Sequence, residues 1–386
     1  MDITRKLNIN IDSILIFLFL VLFPFGQIIR IGILQPIDII AGLGAIFAVA
    51  RRYKEPEIFK YFKTFIFIAG FSWLSSVFFF KQIELLYGLL YLLRLTAYFY
   101  FFLYVWNFGR RSELNRWFLI NSLLTVSLVS AVFGWIQYFS FPTIKPFTVW
   151  GWDDHLFRLV GTFLDPGFLG IIIVFGLILS IYLFLEKKTK AHLPAALFLL
   201  FSLAFTYSRA SYLAFFAGLL VIFIFFKKLK YFIVTLFVFL VLVFSLPTSG
   251  NTILRITREF SAIARVDNYK ETLTIIESSP IFGVGYDNLC LARAKSLGFL
   301  NLQSHACSGS DASVLFVLAT TGVVGLIVFV WLIFMVFKST GQIVLITSTL
   351  TALLVHSLFT NSFFYPWVLG YLMILFSLYS NGLRGK

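Results

Sequence analysis

The sequence predicts an all-α polytopic membrane protein with about twelve transmembrane helices. Apolar residues make up 60% of the chain and charged residues 12%, and the mean hydropathy is +0.94. These values exclude a soluble globular protein. Long apolar runs recur throughout, each sufficient to cross a hydrocarbon core of about 30 Å. They lack the alternation of apolar and polar residues that transmembrane β-strands have, so the spans are expected to be helices.

The apolar runs are separated by polar loops of very different length. The predicted spans are residues 13–30, 34–50, 63–80, 84–106, 117–139, 167–185, 193–207, 210–226, 231–247, 312–337, 343–360 and 363–380. Residues 1–386 are predicted to form a single membrane domain, because neither a low-complexity linker nor a repeat of fixed period divides them. Two loops are long, residues 140–166 and residues 248–311. The second precedes the tenth span and is expected to be partly helical.

Basic residues collect in alternate loops, and this alternation predicts the orientation of the chain. One set of loops carries basic clusters that include Arg51, Arg52, Arg110, Arg111, Lys227 and Lys228. The short loops of the other set hold only Arg30, Lys81 and Arg209. By the positive-inside rule, both termini then lie in the cytoplasm and both long loops on the opposite side. The net charge of +14 follows from this topology, so no nucleic-acid partner is expected.

Both cysteines of the chain, Cys290 and Cys307, fall in the second long loop. If that loop lies outside the cytoplasm, it is in a compartment where disulfides form and persist. A disulfide is therefore possible, although the spacing of two cysteines does not by itself establish one.

Two arginines on the side of the long loops are candidate ligands of an anionic substrate. Arg158 comes shortly before the sixth span, where an arginine can also reach lipid headgroups without any substrate. Arg209 lies in a very short turn between two spans, and that turn contains no acidic residue. Ser208 and Ser211 could cap the helices there. The planar guanidinium of Arg209 also matches the oxygens of a phosphate.

The second long loop begins with a basic segment and continues into a turn. Residues 252–276 have the pattern of an amphipathic helix in which Arg255, Arg258 and Arg265 fall within an arc of about 80°. Such a helix could lie at the membrane surface with its arginines toward headgroups or toward the phosphate of a lipid. Residues 279–286 contain a proline and two glycines, which predict a rigid turn rather than a nucleotide-binding loop.

The same loop returns to the membrane through a segment that contains His305 and Asp311. Asp311 precedes the tenth span, where it could cap the N-terminus of the helix. It could equally act as a general base toward a hydroxyl acceptor. His305 could also take up a proton near neutral pH.

The remaining polar residues indicate an ion pair and no cofactor. Arg94 lies within the fourth span, where a buried cation needs a partner, and Asp38 in the second span is a candidate. The four histidines are scattered, and neither an HxxxH nor a CxxC pattern occurs. Metal-ligand spacing and a Ser-His-Asp arrangement are both absent from the sequence.

Four segments of the chain carry a resemblance to a known family. They are residues 158–166 (RLVGTFLDP), 206–211 (TYSRAS), 279–286 (SPIFGVGY) and 313–326 (SVLFVLATTGVVGL), the last with a TG-x-x-G element. Together, in this order and with a large outer loop before the last of them, they resemble the bacterial O-antigen ligase and O-antigen polymerase family.

The resemblance implies a glycosyltransferase of the bacterial inner membrane that acts in lipopolysaccharide or other polysaccharide biosynthesis. Such an enzyme takes a glycan from undecaprenyl pyrophosphate on the periplasmic side. It transfers that glycan to a sugar hydroxyl of a glycan or lipid acceptor, without a metal or a nucleotide sugar. The surrounding membrane lipids are expected partners as well. In the ligase branch, outer-side arginines are thought to hold the pyrophosphate, a role that maps to Arg209 and Arg265. Where ligases commonly have a histidine, counted back from Gly322, this chain has Asp311, which favours a polymerase or a relative with another acceptor.

The resulting hypothesis assigns Arg158, Arg209 and Arg265 to the pyrophosphate, whose developing charge they would stabilise. Asp311, or else His305, would accept the proton of the acceptor hydroxyl. One alternative is a transporter or flippase of lipid-linked or small anionic substrates, which is expected to have paired broken helices and internal repeats. Another is a non-catalytic component of polysaccharide assembly.

Overall fold

The computed structural model describes residues 11–32, 34–81, 84–187, 190–246, 252–297, 307, 309–340 and 343–378. In this part of the chain the secondary structure is helical, and no β-strand occurs among the described residues. The prediction of an all-α protein is therefore confirmed. The α-helices are α1 (Ile11–Leu22), α2 (Pro36–Ala50), α3 (Phe59–Ser75), α4 (Leu86–Gly109), α5 (Glu113–Ser140), α6 (Pro166–Lys187), α7 (Leu193–Thr206), α8 (Arg209–Phe225), α9 (Leu229–Ser245), α10 (Thr252–Ser278), α11 (Leu289–Leu297), α12 (Ser313–Thr340), α13 (Val344–His356) and α14 (Pro366–Ser377).

All of these helices except α10 and α11 are apolar, and each apolar helix coincides with one of the predicted spans. Five are long and apolar enough to cross a membrane, namely α3 with the 3₁₀ turn that follows it, α4, α5, α6 and α12. The others are shorter apolar helices, so the number of twelve spans stays a prediction. Helices α10 and α11 make the second long loop partly helical. The side of the membrane on which it lies stays a prediction as well.

The local sequence explains where several helices begin. Ser112 and Ser208 are N-cap residues, and their hydroxyls accept hydrogen bonds from the backbone N–H groups of Asn115 (3.1 Å) and Ser211 (3.3 Å). A proline occupies the first position of α2, α6 and α14. The backbone N–H at the first position of a helix makes no hydrogen bond within that helix, so proline loses nothing there. The fixed φ of proline also suits a helix.

The helices pack around a core that is rich in aromatic side chains. Tyr98, Phe101 and Phe102 of α4 are almost fully buried, as are Trp367 and Tyr371 of α14, which packs against α4. In a membrane, lipid tails are as apolar as these side chains, so close packing is the main source of attraction between helices.

The outer surface of the bundle is also apolar, as expected of helices in contact with lipid. In α9 only Phe239 is buried, whereas Ile233, Phe237 and Phe244 are 63%, 67% and 83% exposed. On a soluble protein such a surface would be an interaction site or a cause of aggregation. On spans of this length and composition it indicates a multi-pass membrane protein.

Arg94 forms the ion pair predicted for it. Its Nη2 lies 2.7 Å from Oδ2 of Asp38, and the hydroxyl of Tyr98 donates to Oδ1 of the same carboxylate at 3.0 Å. The backbone N–H of Gln35 donates to Asp38 at 2.9 Å. Since several donors surround the buried carboxylate, this charge pair meets the condition under which a membrane tolerates ions.

One end of the bundle, here called the basic end, carries the loops after α2 and after α4. Arg51 Nη1 lies 2.9 Å from Oδ1 of Asp12, and Arg111 pairs with the second oxygen of the same carboxylate. Arg116 donates from Nη2 to the carbonyl of Leu378 at 3.0 Å. These loops belong to the set that the positive-inside rule assigns to the cytoplasm, and that orientation stays a prediction.

Candidate active site

At the opposite end of the bundle, here called the polar end, four connections meet. They are residues 141–165 between α5 and α6, residues 207–208 between α7 and α8, residues 309–312 before α12, and residues 357–365 between α13 and α14.

Arg209 is the first residue of α8, and its side chain is exposed. Helix α7 ends at Thr206, because Tyr207 has a positive φ of 52° and cannot continue it. Ser208 then caps α8, so the predicted capping function of Ser208 is confirmed. The cap fixes the backbone of the turn and leaves the Arg209 side chain at the surface.

Arg158 holds this turn from the neighbouring loop. Its Nε donates to the carbonyl of Thr206 at 3.2 Å, and its Nη2 donates to the carbonyl of Tyr207 at 2.7 Å. Carbonyls at a helix C-terminus have no partner in their own helix, and here the guanidinium supplies one. Arg158 thus contacts the turn that presents Arg209. The sequence did not reveal this contact.

Asp165 places a carboxylate at the same end of the bundle. Its Oδ1 accepts hydrogen bonds from the backbone N–H groups of Gly167 (2.7 Å) and Phe168 (2.8 Å). These groups belong to the first turn of α6, where a negative charge is stabilised by the helix dipole. His155 Nε2 lies 3.8 Å from Oδ2 of Asp165.

Asp311 lies beside α10. Its backbone N–H donates to Oδ1 of Asn268 at 3.0 Å. The N–H of Phe316 donates to the carbonyl of Ala312 at 2.9 Å, so that Ala312 occupies the N-cap position of α12. Asp311 therefore lies one residue outside the cap position that the sequence suggested for it.

Partial burial raises the pKa of the Asp311 carboxyl above its usual range. The positive charges of Arg265 and Arg293 lower this pKa, whereas the negative charges of Asp153 and Asp165 raise it further. These charges belong to α10, α11 and the loop before α6, so Asp311 is electrostatically coupled to three elements. A carboxylate in such surroundings binds a proton more readily than an exposed one, which suits a general base.

Helix α11 is tied to the same segment by a disulfide and by Arg293. Cys290 and Cys307 are bridged, with their Cα atoms 4.7 Å apart, so the disulfide that the sequence left open is present. Arg293 is 8% exposed, its Nε lies 3.4 Å from Oε2 of Glu271, and its Nη1 donates to the carbonyl of Cys307 at 3.2 Å. These contacts hold Cys307, close in sequence to Asp311, against α10 and α11.

Two segments of the resemblance, residues 279–286 and 313–326, contact each other through their backbones. Helix α12 is interrupted at Gly322, whose φ is 67°, and residues 279–286 lie against the interruption. The N–H of Val284 donates to the carbonyl of Ala319 at 2.9 Å, and the N–H of Val323 donates to the carbonyl of the segment's proline at 2.9 Å. The turn predicted over these residues is thus the partner of a broken helix.

His356 is a polar residue of this end that the sequence did not single out. It is the last residue of α13 and is 0% exposed. Its Nε2 lies 3.1 Å from Oγ of Ser211, and its Nδ1 lies 2.6 Å from Oγ of Ser362. An ionisable side chain inside an apolar span is a functional or network residue by default. This criterion, which singled out Arg94, applies to His356 as well.

Some residues of the hypothesis cannot be placed in the site. His305 lies outside the described residues, and so do the side chains of Arg255 and Arg258. Arg265 is described, and its side chain is exposed on α10. The described residues contain no group of three or more His, Cys, Asp or Glu side chains that could hold a metal ion.

Residues 194–330 match the family model described as O-antigen ligase. This part of the chain is similar to the O-antigen ligase family. The match covers about a third of the chain and includes Arg209, Arg265 and Asp311, together with three of the four segments on which the resemblance was based. The resemblance is therefore confirmed. No protein with a curated description matches the chain.

The apolar helices, together with a segment similar to the O-antigen ligase family, indicate a multi-pass membrane protein. Arg158 and His356 lie outside the matched residues. Arg158 contacts the matched residues at Tyr207, and His356 contacts them at Ser211.

Proposed function

We propose that the protein transfers a glycan from an undecaprenyl-pyrophosphate carrier to a sugar hydroxyl, on the periplasmic side of the bacterial inner membrane. The observation that carries the proposal is a contact within the residues that match the O-antigen ligase family. The backbone N–H of Asp311 donates at 3.0 Å to Asn268 of α10, which lies about one helical turn after Arg265. The charge of Arg265 also lowers the pKa of the Asp311 carboxyl. An arginine beside a carboxylate is the minimum needed to bind an anionic leaving group and to accept a proton.

In this proposal Arg209 and Arg265 bind the pyrophosphate of the carrier. Both side chains are exposed at the polar end, and each guanidinium can present two parallel N–H donors to phosphate oxygens. Arg158 adds positive charge from the loop before α6, while two of its N–H groups hold the turn that precedes Arg209.

Asp311 is the proposed general base, with His305 as the alternative. The acceptor oxygen forms a bond to the anomeric carbon of the donor glycan, and the bond between that carbon and the pyrophosphate oxygen breaks. The proton of the acceptor hydroxyl passes to the carboxylate of Asp311. The electron pair of the broken bond leaves with undecaprenyl pyrophosphate, whose negative charge the arginines stabilise. This scheme needs neither a metal nor a nucleotide sugar.

The proposed orientation places both termini and the basic end in the cytoplasm and the polar end in the periplasm. The Cys290–Cys307 bridge supports this orientation, because disulfides persist in the bacterial periplasm and are rare in the cytoplasm.

The proposal is tested by supplying purified protein in liposomes with an undecaprenyl-pyrophosphate-linked oligosaccharide, with and without candidate acceptors. Extension of the lipid-linked chain would identify a polymerase, and transfer to a second lipid or to a protein would identify a ligase. Movement of the lipid-linked glycan across the bilayer without a new glycosidic bond would contradict the proposal and favour a transporter. Addition of a metal chelator should leave the transfer rate unchanged.

A further inference from the structure

The imidazole of His356 lies between two hydroxyl groups at the polar end. One of them, Ser211 Oγ, is 3.1 Å from Nε2, and the other, Ser362 Oγ, is 2.6 Å from Nδ1. A neutral imidazole satisfies both contacts, because one ring nitrogen donates and the other accepts. The ring is 0% exposed, so that it acts on a substrate only through the residues that it holds.

On one side, the imidazole holds the first turn of α8. Ser211 lies two residues after Arg209, and its hydroxyl is 2.8 Å from Oγ of the N-cap residue Ser208. The same hydroxyl lies so close to Gly170 of α6 that a Cβ at that glycine would overlap it. The start of α8, which carries Arg209, is therefore fixed between α6 and His356.

On the other side, the imidazole holds the connection between α13 and α14. Within this connection, Asn361 accepts a hydrogen bond through Oδ1 from the hydroxyl of Ser313 at 3.0 Å. The carbonyl of Ser357 accepts from the N–H of Ser313 at 2.9 Å. The N–H of Phe363 also donates to the hydroxyl of Ser313 at 3.3 Å. Three hydrogen bonds thus bind the start of α12, two residues after Asp311, to this connection.

The same connection also holds α10. Its Leu358 accepts a hydrogen bond through the carbonyl from the hydroxyl of Tyr269 at 3.0 Å. Tyr269 lies one helical turn after Arg265 on the same helix. The connection between α13 and α14 therefore contacts α10, which carries Arg265, and the start of α12, two residues after Asp311. His356 joins this connection to α8, which carries Arg209.

We propose that His356 is a positioning residue, which sets the distance of Arg209 from Arg265 and Asp311 through the hydroxyls of Ser211 and Ser362. The inference rests on the proposed function, because the distance matters only if these residues act on one substrate. Misplacement of a binding group by about 1 Å can cost about 100-fold in rate, so a buried imidazole can control the rate through the residues that it holds.

The test uses single hydroxyl deletions, because replacing His356 itself could prevent folding. Ser211→Ala and Ser362→Ala each remove one contact of the imidazole. Ser348→Ala is the matched control. Ser348 is buried in α13, the helix that ends at His356, and its hydroxyl donates to the carbonyl of Leu345 in that helix at 3.1 Å. The affinity of each purified variant for undecaprenyl pyrophosphate, without a glycan, is measured in detergent, together with its thermal unfolding.

Ser211→Ala and Ser362→Ala are each expected to weaken binding of undecaprenyl pyrophosphate about tenfold, which corresponds to about 1.4 kcal/mol. Ser348→Ala should bind as the wild type does. The double variant Ser211→Ala/Ser362→Ala should bind about as weakly as either single variant, because both hydroxyls act through one imidazole. A role confined to overall stability would instead give independent effects that add.

Two results would overturn the positioning role of His356 and leave the proposed function intact. One is wild-type affinity in Ser211→Ala and Ser362→Ala. The other is a loss of about 100-fold in the double variant, which would mean that the two hydroxyls act independently. Failure of the folded wild type to bind undecaprenyl pyrophosphate would overturn the proposed function itself, and with it the inference.

Discussion

The guanidinium of Arg158 donates to the carbonyl of Tyr207 across 2.7 Å, between residues 49 apart in the chain. This bond joins the loop before α6 to the turn that presents Arg209. It also joins a residue outside the O-antigen ligase family match to one inside it. Arg158 is therefore expected to influence transfer through the geometry of the turn as well as through its charge.

Arg158→Lys tests this contribution, because lysine keeps the charge but cannot form the two-pronged contact. We expect transfer to fall about tenfold or more, since hydrogen bonds from charged groups are each worth about 1.5–3 kcal/mol. The matched control is Arg116→Lys, which removes a guanidinium–carbonyl contact at the basic end. The control should affect thermal unfolding without reducing transfer, and full activity of Arg158→Lys would contradict the geometric contribution.

Arg209→Ala should abolish glycan transfer while the protein remains folded and inserted. Removal of one preorganised group that stabilises charge in a transition state typically costs about 10²- to 10³-fold in rate. The measurement is initial transfer rate from the lipid-linked donor, with thermal unfolding as the test of folding. Lys145→Ala removes an exposed cation from the loop before α6 and should leave the rate unchanged. Retained full activity of Arg209→Ala would refute its assignment to the pyrophosphate.

The pH dependence of transfer should report on Asp311. Partial burial raises the pKa of this carboxyl, and a general base works only when deprotonated. The rate should therefore rise with pH, with a midpoint above the usual range of an aspartate. Because the charge of Arg265 lowers this pKa, Arg265→Gln should move the midpoint to higher pH, whatever its effect on the maximal rate. An unchanged or lower midpoint would exclude Asp311 as the base.

Local sequence predicted the helices and the ion pair of Arg94 with Asp38, because span length, caps and the need of a buried cation for a partner are local properties. It also pointed to the polar residues of the polar end. It could not predict which of them touch. His356 and Ser211 are 145 residues apart, and a contact between elements so distant leaves no trace in periodicity or spacing.

The two cysteines offer a direct test of the loop structure. Because Cys290 and Cys307 are the only cysteines of the chain and are bridged, a maleimide should label the denatured protein only after reduction. Replacing both by serine should lower the stability of the loop by about 3 kcal/mol, the value typical of a cross-link that closes a loop of this size. Limited proteolysis would measure the change. Labelling of the unreduced wild type would contradict the bridge.

Gly322→Ala should destabilise the protein by about 2 kcal/mol or more. The left-handed backbone conformation alone costs a residue with a Cβ about 1–2 kcal/mol, and the new Cβ would overlap the carbonyl of Ile281. The control is Gly42→Ala in α2, where a Cβ would meet nothing within 4 Å and alanine favours the helix. Thermal unfolding in detergent compares the two. Equal melting temperatures of Gly322→Ala and the wild type would contradict the described backbone.

The interruption of α12 has a consequence for folding. In hydrocarbon, backbone carbonyls without partners cost several kcal/mol each. At the break, the carbonyl of Thr320 is satisfied by the N–H of Gly285 at 3.1 Å and by the hydroxyl of Ser72 at 2.6 Å. Helix α12 thus acquires part of these hydrogen bonds only once residues 279–286 have packed against the break. A chain in which residues 279–286 failed to pack there would leave the carbonyl of Ala319 without the N–H of Val284, so that packing of this segment and integrity of the broken helix depend on each other.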